Sequence, residues 1–356
     1  SGLKIVPSDR GFSYLPLAHV FERAYVSCAS LVAGHEIFFA ESLPTFVQDL
    51  QRARPTLFIS VPRLWLKFQL GVFKKTAPGK LNFLLKIPIV SGIIKKKVLT
   101  ALGLQHVRLA GSGSAPIPGE LIAWYRSLGL NLLEGYAMSE DFAFSHLSTV
   151  ELNEPGYVGV PYPGVEVKIS EEGEILIKSP GTMMGYYKQP ELSAKCFTED
   201  GYFKTGDRGA RKPNGLLKIT GRVKELFKTS KGKYIAPAPI ENILNNHPSV
   251  ELSCVTGAGQ PQPFALIQAA EDLRPKLSDP AVKAKLKEEL TALLAEVNSK
   301  VEHHEHLQFL AVVPQTWDIA GGFLTPTMKI RRSAIEDAYK GDIEAWYEKK
   351  EKVIWG

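Results

Sequence analysis

The stretch VRLAGSGSAP, residues 107–116, decides the fold of this chain. Val107–Ala110 has the residue types of a buried strand, and the Gly111–Pro116 segment after it is typical of a glycine-rich loop. In parallel α/β sheets, ligands bind just beyond the carboxyl ends of the strands. The stretch therefore predicts one strand of a parallel sheet with a binding site directly after it.

The residues on either side extend the same pattern. From Gly11 to about Gly135, short apolar segments alternate with longer segments in helical register, which is the order typical of βαβ units. Phe12–Leu17 and Thr56–Val61 are predicted strands, each ending in proline or turn residues. This part of the chain is therefore expected to form a parallel sheet covered by helices.

The pattern changes twice further along the chain. Between residues 150 and 221 apolar and polar residues alternate, and the turn at Glu171–Gly173 predicts a β-hairpin in a small antiparallel sheet. Ser278-Asp279-Pro280 is a helix-start signal. Behind it, apolar residues recur every three or four positions and predict an amphipathic helix. These are Leu286, Leu290, Leu293, Leu294, Val297 and Val301.

The predicted fold class is α/β, with a partial parallel sheet layer, an antiparallel β subdomain and a smaller α+β carboxyl-terminal domain. The parallel-sheet layer is predicted to span residues 1–150, the antiparallel β subdomain residues 151–223, and the carboxyl-terminal domain residues 224–356.

Composition excludes several classes of protein. The chain has 356 residues, of which 44% are hydrophobic and 22% are charged, so it is neither a disordered chain nor a fibre. Its formal charge of +6 is small and dispersed, which predicts no nucleic-acid partner. The three cysteines are far apart, so they favour neither a disulfide framework nor a zinc site, and a cytoplasmic location is expected. They are Cys28, Cys196 and Cys254.

Two further patterns have competing interpretations. Lys74-Lys75 and Lys95–Lys97 flank an apolar stretch that contains Phe83–Leu85 and Ile93-Ile94. This stretch predicts either a peripheral contact with an anionic membrane or, with more weight, a basic surface over the core. His303–His306 invites a metal interpretation, but adjacent histidines cannot share one helical face, so a metal site is not favoured.

Five segments contain residue types that packing alone would not select. Glu134–Glu140 (EGYAMSE) combines an aromatic face, a hydroxyl and a carboxylate, which suits stacking on a base beside a magnesium-bound phosphate. Asp207 in YFKTGD is suited to accept hydrogen bonds from two sugar hydroxyls. The others are LPLAHVFER (15–23), GSGSAP (111–116) and LTPTMK (324–329).

In this order and spacing, the segments resemble the adenylate-forming superfamily of acyl-CoA synthetases, peptide-synthetase adenylation domains and luciferases. The similarity is greatest to the long-chain fatty acyl-CoA synthetases and extends from about residue 8 to residue 333. Taken singly, each segment also fits an ordinary turn or a charged surface, and it is the order of seven that carries the resemblance. The seven are LPLAHVFER, GSGSAP, GYAMSED, GTMMGYY, YFKTGD, GRVKELFKTSKGKYIAP and LTPTMKIRR.

The resemblance implies a nucleotide site. Tyr136 would stack on adenine, Ser139 would contact phosphate, and Glu140 would hold Mg²⁺ and take part in catalysis. Asp207 would bind both ribose hydroxyls with help from Arg222. The loop that would enclose adenine consists of Gly111, Ser112, Gly113, Ser114 and Ala115.

The resemblance also implies a two-step reaction with a fatty acid, ATP and coenzyme A. Lys329 would be catalytic, reaching the acyl carboxylate and the α-phosphate during adenylation, and His19 would line the acyl pocket. Lys224 would be the hinge about which the small domain rotates between the half-reactions. Gly232 would then border the channel for the thiol.

One element of the family pattern has no counterpart in the sequence. A glycine-, serine- and threonine-rich phosphate-binding loop should precede LPLAHVFER, and residues 1–15 do not resemble it. We therefore expect this chain, as a carboxyl-terminal portion, to adenylate slowly or not at all by itself. Two alternatives to a CoA ligase remain: a non-catalytic relative that binds a nucleotide or acyl group, and a ligase that loads a carrier protein.

Overall fold

A computed structural model describes residues 4–42, 44–325 and 329–356. The chain divides into two compact units, Ser1–Ile219 and Thr220–Gly356. A parallel sheet, an antiparallel sheet and a smaller α+β unit are all present, so the predicted fold class is confirmed. Within the described ranges, no helix has the length and apolar character needed to cross a membrane.

The first sheet of the large unit has seven strands in the order β2-β1-β3-β4-β5-β6-β7. The first five in this order are parallel, whereas β6 and β7 add antiparallel pairs at one edge. The strands are β1 Arg10–Ser13, β2 Glu36–Phe39, β3 Leu57–Ser60, β4 Leu109–Ser112, β5 Leu132–Tyr136, β6 His146–Leu147 and β7 Val160–Pro161.

Helices connect these strands and bury their apolar faces against the sheet. A π-helical segment, Glu22–Cys28, precedes the first α-helix. Fully buried Phe58, Trp65 and Tyr125 fill the centre of the core. The helices are α1 Ala29–Ala33, α2 Phe46–Ala53, α3 Pro62–Lys75, α4 Pro78–Leu84, α5 Val90–Ala101, α6 Gly119–Ser127 and, later in the chain, α7 Pro190–Lys195.

The second sheet has four strands in the order β11-β10-β9-β8. The predicted hairpin is confirmed, since β8 and β9 pair antiparallel with Glu166 opposite Lys178 and Ile169 opposite Ile175. The strands are β8 Glu166–Ile169, β9 Glu174–Lys178, β10 Phe203–Arg211 and β11 Leu217–Arg222. Strand β11 contains the boundary between the two units.

The carboxyl-terminal unit contains a two-stranded hairpin, β12-β13, and a sheet in the order β14-β15-β16-β17. In that sheet β14 and β15 are antiparallel, and the remaining pairs are parallel. The strands are β12 Phe227–Lys228, β13 Tyr234–Ile235, β14 Val250–Thr256, β15 Phe264–Ala269, β16 Leu310–Val312 and β17 Val353–Trp355. The helices are α8 Pro237–Asn245, α9 Pro280–Lys300, α10 Arg332–Tyr339 and α11 Ile343–Glu348.

Helix α9 begins where its start signal predicts. Asp279 is the N-cap, and its Oδ1 accepts a hydrogen bond from the Ala281 N–H at 2.8 Å, which satisfies one of the free amides of the first turn. Pro280 occupies the first helical position, where its missing N–H costs nothing. The buried residues of this helix are Leu286, Leu290, Leu293, Leu294 and Val297.

A buried ion pair fixes the start of α10 against α8. Arg332 donates from Nη1 to Glu241 Oε1 at 2.7 Å and from Nη2 to Glu241 Oε2 at 2.9 Å. The Arg332 Nη1 also donates to the Val255 carbonyl at 2.8 Å, and the Val255 N–H donates to Glu241 Oε1 at 2.7 Å. The geometry is bidentate, and both charges have partners in a region with little access to water.

We predict that Arg332→Met lowers the free energy of unfolding of the carboxyl-terminal unit by about 3–5 kcal/mol, because it leaves the Glu241 charge buried without a partner. Guanidinium unfolding followed by circular dichroism measures this change. The control is Arg331→Met at the exposed neighbouring position. Its free energy of unfolding is expected to stay within about 0.5 kcal/mol of that of the unsubstituted chain. Equal stability of the two variants would contradict the structural role of the pair.

Candidate functional site

A cleft with a cavity volume of about 100 Å³ opens at the carboxyl ends of β3, β4 and β5. Such a position is where parallel α/β sheets bind ligands. Its apolar lining residues, which we call its apolar wall, include Leu15, Val20, Phe21, Tyr25 and Ile59. The polar residues at the cleft include His19, Ser60, Ser112, Ser114, Tyr136 and His146.

The glycine-rich segment reaches the cleft, but it starts differently from the prediction. Gly111 and Ser112 belong to strand β4, because they pair in register with Ile59 and Ser60 of β3. A Cβ on Gly111 would lie 2.9 Å from the Ile59 Cγ1 atom, so this position requires glycine. The turn begins at Gly113, whose N–H donates to the Ser60 carbonyl at 3.2 Å.

The structure brings four of the five predicted loop residues to the cleft. Gly111, Ser112, Gly113 and Ser114 line it, whereas Ala115 is not among its lining residues. Ser114 has a φ of 69°, a left-handed conformation that non-glycine residues seldom adopt outside tight turns. The chain therefore makes a sharp bend at the mouth of the cleft and exposes backbone groups there.

Tyr136 lines the cleft and is hydrogen-bonded to Asp207, 71 residues further along the chain, which is buried and is not among the lining residues. The Tyr136 hydroxyl donates to Asp207 Oδ2 at 2.8 Å. Burial, and then the nearby Asp207 charge, raise the pKa of Tyr136 well above its ordinary value, so the phenol keeps its proton at neutral pH. The aromatic face and the carboxyl group predicted for base and sugar are thus direct neighbours.

Glu140 is held by a second tyrosine. It lies in a single 3₁₀ turn, Ser139–Asp141, where Ser139 is exposed. Its Oε1 accepts a hydrogen bond from the Tyr186 hydroxyl at 2.9 Å, and its carbonyl accepts from the Met183 N–H at 2.7 Å. Burial, followed by the bond to Glu140, raises the pKa of Tyr186 to about 12.

The environment of Glu140 fits Mg²⁺ of the kind that nucleotides bring with them. Mg²⁺ is held by one or two protein carboxylates, with water and phosphate oxygens as its other ligands. The described part of the chain contains no group of three or more metal-ligating side chains. Glu140 would be one such carboxylate, and its role as a Mg²⁺ ligand stays a prediction.

His146 is a cleft residue that the sequence did not reveal. Its Nδ1 lies 2.7 Å from the Ser145 hydroxyl, and its ring centre lies 5.9 Å from that of Tyr136. Burial lowers the pKa of His146 to about 3, so the imidazole is neutral at physiological pH. A neutral ring packed behind Tyr136 supports its orientation without adding charge to the cleft.

Glu134 is the second residue that the sequence did not reveal. It lies in β5 opposite Ser112 of β4, and only 1% of it is exposed. Its Oε1 accepts a hydrogen bond from the Ile117 N–H at 3.3 Å, which holds the segment just after the glycine-rich turn. Burial raises the pKa of Glu134 to about 8, so this carboxyl group is mainly protonated at neutral pH. The signal for it in the sequence is an acidic residue that directly follows two leucines, Leu132 and Leu133, in a strand.

His19 lines the cleft, as the acyl-pocket prediction requires. It lies in the turn before the π-helical segment, where its Nδ1 accepts a hydrogen bond from the Phe21 N–H at 3.3 Å. Nearby Glu22 is fully buried, accepts a hydrogen bond from Ser13, and has its pKa raised by burial. The acyl-pocket role of His19 stays a prediction.

The other predicted residues belong to the carboxyl-terminal unit. Arg222 ends β11 and lies 3.8 Å from Glu225, and exposed Lys224 is in the 3₁₀ turn between them. Gly232 has a φ of 80° in the turn between β12 and β13, where a residue with a Cβ would be strained. The hinge and thiol-channel roles of Lys224 and Gly232 stay predictions.

Lys329 is exposed. Its N–H donates to the Thr325 Oγ1 at 3.1 Å, and its carbonyl accepts from the Thr325 N–H at 2.8 Å. Residues 326–328 of the predicted LTPTMK loop lie outside the described residues. The side chain of Lys329 is open to solvent, and its catalytic role stays a prediction.

Comparison with known protein families decides the classification. Residues 2–187, more than half of the chain, match the model of the AMP-binding enzyme family. The chain belongs to this family. Residues 225–351 match the model of the AMP-binding enzyme C-terminal domain, which agrees with a carboxyl-terminal unit beginning near residue 220.

Within the AMP-binding enzymes, curated relatives include long-chain fatty acid–CoA ligases. The chain is 32% identical to the long-chain-fatty-acid–CoA ligase FadD15 of Mycobacterium bovis, over 96% of this chain and 63% of that protein. It is 31% identical to human long-chain-fatty-acid–CoA ligase 1, over 96% and 55%. The chain thus spans less than two thirds of either relative, and the resemblance to this branch is confirmed.

Solved structures of AMP-binding enzymes share the fold. The adenylation domain of a carboxylate reductase from Mycobacterium chelonae superposes with a TM-score of 0.76 at 25% identity, covering 96% of this chain and 54% of that one. The corresponding domain from Segniliparus rugosus, solved with AMP and a co-purified carboxylic acid, has a TM-score of 0.74 at 26% identity, covering 96% and 55%.

We predict that Glu134→Gln reduces the loss of stability at alkaline pH. Because the folded-state pKa of about 8 exceeds the ordinary 4.5, the native chain binds more protons than the unfolded chain between these values. The contribution of Glu134 to the free energy of unfolding is therefore complete below pH 4.5 and decreases as the pH rises towards 8. The total decrease is about 1.4 kcal/mol per unit of difference between the two pKa values. The side-chain oxygen of glutamine can still accept the hydrogen bond from the Ile117 N–H. Because glutamine does not ionise, this loss of stability disappears.

The measurement is denaturant unfolding at pH 5 and pH 9. The stability difference between the two pH values should be smaller in the Glu134→Gln variant by several kcal/mol. The matched control is Glu120→Gln on the exposed start of α6, which should retain the pH profile of the unsubstituted chain. A Glu134→Gln profile identical to that of the control would contradict a protonated Glu134.

Proposed function

We propose that the protein containing this chain is an ATP-dependent fatty acid–CoA ligase that proceeds through an acyl adenylate. The observation that carries the proposal is the hydrogen bond between Tyr136, which lines the cleft, and the buried Asp207, with Glu140 nearby in the sequence. An aromatic face, a sugar-binding carboxyl group and a candidate Mg²⁺ ligand form the set of groups that recognises a nucleotide. The curated relatives support a fatty acid as the second substrate.

In this proposal the large unit binds the nucleotide. Adenine stacks on Tyr136 beside the Gly111–Ser114 backbone, and the ribose hydroxyls donate to Asp207, assisted by Arg222. Ser139 contacts phosphate, and Glu140 holds Mg²⁺, which supplies positive charge where negative charge accumulates on the transferred phosphorus. The tyrosine hydroxyls on Asp207 and Glu140 orient the two carboxyl groups before the ligand arrives.

The reaction takes place in two steps. In the first, a carboxylate oxygen attacks the α-phosphorus of ATP, the bond to the bridging oxygen breaks, and pyrophosphate leaves. In the second, the sulfur of coenzyme A attacks the acyl carbonyl, and AMP leaves. We assign Lys329 to the first step as the cation near the carboxylate and α-phosphate, Lys224 to the hinge and Gly232 to the thiol channel.

The apolar wall of the cleft supports an acyl substrate. It includes Leu15, Val20, Phe21 and Ile59, and His19 lines the same cleft. A fatty acid placed along the wall would direct its carboxyl group towards the nucleotide site and keep its chain away from water. We assign a long acyl chain on the basis of the named relatives.

Nucleotide binding is testable on the chain as it stands. We predict that the chain binds AMP and that Asp207→Asn weakens binding roughly tenfold to a hundredfold, because hydrogen bonds to a charged acceptor are lost. Isothermal titration calorimetry with AMP measures this change. Asp200→Asn, at an exposed aspartate of the same unit, is the matched control. Wild-type affinity in the Asp207→Asn variant would contradict the assigned ribose site.

Adenylation is tested on the full gene product by carboxylate-dependent exchange between ATP and pyrophosphate. Exchange with palmitate should collapse at least a hundredfold in Lys329→Ala, because the transition-state charge loses its cation. Thioester formation from synthetic palmitoyl-AMP should persist, since that step does not need Lys329. Lys340→Ala at the exposed end of α10 is the control. Unchanged exchange in Lys329→Ala would refute the role of this lysine.

The same assay separates the alternatives. A structural relative of this chain is an adenylation and carrier-protein didomain of a carboxylic acid reductase, 26% identical with a TM-score of 0.73, so a carrier protein is the second candidate acceptor. Thioester formation on coenzyme A supports the proposal, whereas formation on a phosphopantetheinylated carrier alone favours that candidate. AMP binding without any exchange in the full product favours the non-catalytic alternative.

A further inference from the structure

The stretch from residue 50 to residue 119, which contains β3, β4 and the helices between them, has a strongly asymmetric charge. Residues 50–119 contain 12 lysines and arginines and no aspartate or glutamate. The rest of the chain then carries 31 basic and 37 acidic residues, a formal charge of −6. The dispersed charge inferred from the total of +6 is therefore concentrated in one segment, which includes α3, α4 and α5.

Large apolar side chains are exposed in the same segment. Phe83, at the end of α4, is 65% exposed, Ile89, just before α5, is 85% exposed, and Ile93, in the first turn of α5, is 63% exposed. Ile89 and Ile93 are four residues apart, and the Ile93 N–H donates to the Ile89 carbonyl at 3.4 Å, so they lie on one face of the helix.

Exposed lysines surround these three side chains. Lys97 is four residues after Ile93 and therefore lies on the same helical face, and Lys96 is its neighbour in the sequence. Lys86 lies in the connection between α4 and α5. None of the three lysines has an ion-pair partner within the described ranges. We call Phe83, Lys86, Ile89, Ile93, Lys96 and Lys97 the α4–α5 surface.

The opposite face of this pair of helices is anchored in the core. Leu81 of α4 is buried, and Ile94 and Val98 of α5 pack against the core cluster of the large unit. The core therefore already has its own apolar contacts from α5. Ile89 and Ile93 point away from it and are not needed to fill it.

The connection before α5 holds Ile89 in an unusual conformation. Its φ is 69° and its ψ is −55°, and the Val90 N–H donates to the Pro88 carbonyl at 2.8 Å across it. This is the geometry of a γ-turn with positive φ, which is rare and strained, above all for a β-branched residue. Strained positions cluster at functional sites, and here the strained residue carries the most exposed of the three apolar side chains.

We propose that the α4–α5 surface docks on a phospholipid bilayer with anionic headgroups. Phe83, Ile89 and Ile93 enter the boundary between headgroups and acyl chains, and Lys86, Lys96 and Lys97 contact the phosphates. A basic face with apolar side chains at its centre is the combination that lies in a membrane interface. Nucleic acid would satisfy the lysines but leave the three apolar side chains in water, so a lipid surface is the better match.

Docking is tested by sedimentation of the chain with vesicles of 70% phosphatidylcholine and 30% phosphatidylserine. Binding should exceed that to pure phosphatidylcholine and weaken with salt. Lys96→Gln with Lys97→Gln should reduce affinity roughly twenty-five-fold, at about fivefold per lysine. Ile89→Ser with Ile93→Ser should reduce it roughly tenfold or more, because apolar surface no longer leaves water.

Two matched variants control for charge and hydrophobicity. Lys349→Gln with Lys350→Gln removes the same charge at the other end of the chain, and Leu31→Ser with Val32→Ser removes two exposed apolar side chains elsewhere in the large unit. Both should bind vesicles like the unsubstituted chain, and circular dichroism verifies folding of all variants. Three outcomes would overturn the proposal: no preference for anionic vesicles, loss in the controls equal to that in the test variants, or loss with the lysine variant alone, which would show that Ile89 and Ile93 do not enter the bilayer.

Discussion

Backbone hydrogen bonding between β3, β4 and β5 is the constraint on which the candidate site depends. The register places Ser60, Ser112 and Glu134 side by side, so the three strands end at one edge of the sheet. The strands lie so close that Gly111 cannot carry a side chain next to Ile59. The Trp65 indole N–H, which donates to the Gly111 carbonyl at 3.1 Å, ties this edge to the core.

Burial determines the protonation of two groups in and beside the cleft. Glu134 and His146 are both neutral at physiological pH, because losing contact with water disfavours their charged forms. Of these two, His146 lines the cleft, whereas Glu134 holds the segment after the glycine-rich turn. Asp207 and Glu140 each accept a hydrogen bond from a tyrosine hydroxyl, which orients both carboxyl groups.

The large unit uses its helices for two different purposes. Helix α3 fills the core with Trp65 and Phe68 directly behind the glycine-rich strand. Helices α4 and α5 attach through one apolar face and keep apolar and basic residues on the other. If the acyl substrate reaches the protein from a bilayer, a docking surface on the same unit as the cleft shortens its path through water.

The sequence by itself determined the fold class, the hairpin of β8 and β9, the start of α9 and the order of motifs that places the chain among the AMP-binding enzymes. Those features depend on local periodicity, capping residues and short motifs. Only the tertiary structure decided that Gly111 and Ser112 belong to a strand, that Glu134 and His146 are buried and neutral, and that Arg332 pairs with Glu241. The physical reason is that strand register, desolvation and ion pairing depend on partners tens of residues away, as with the 91 residues between Glu241 and Arg332, and local sequence does not encode such partners.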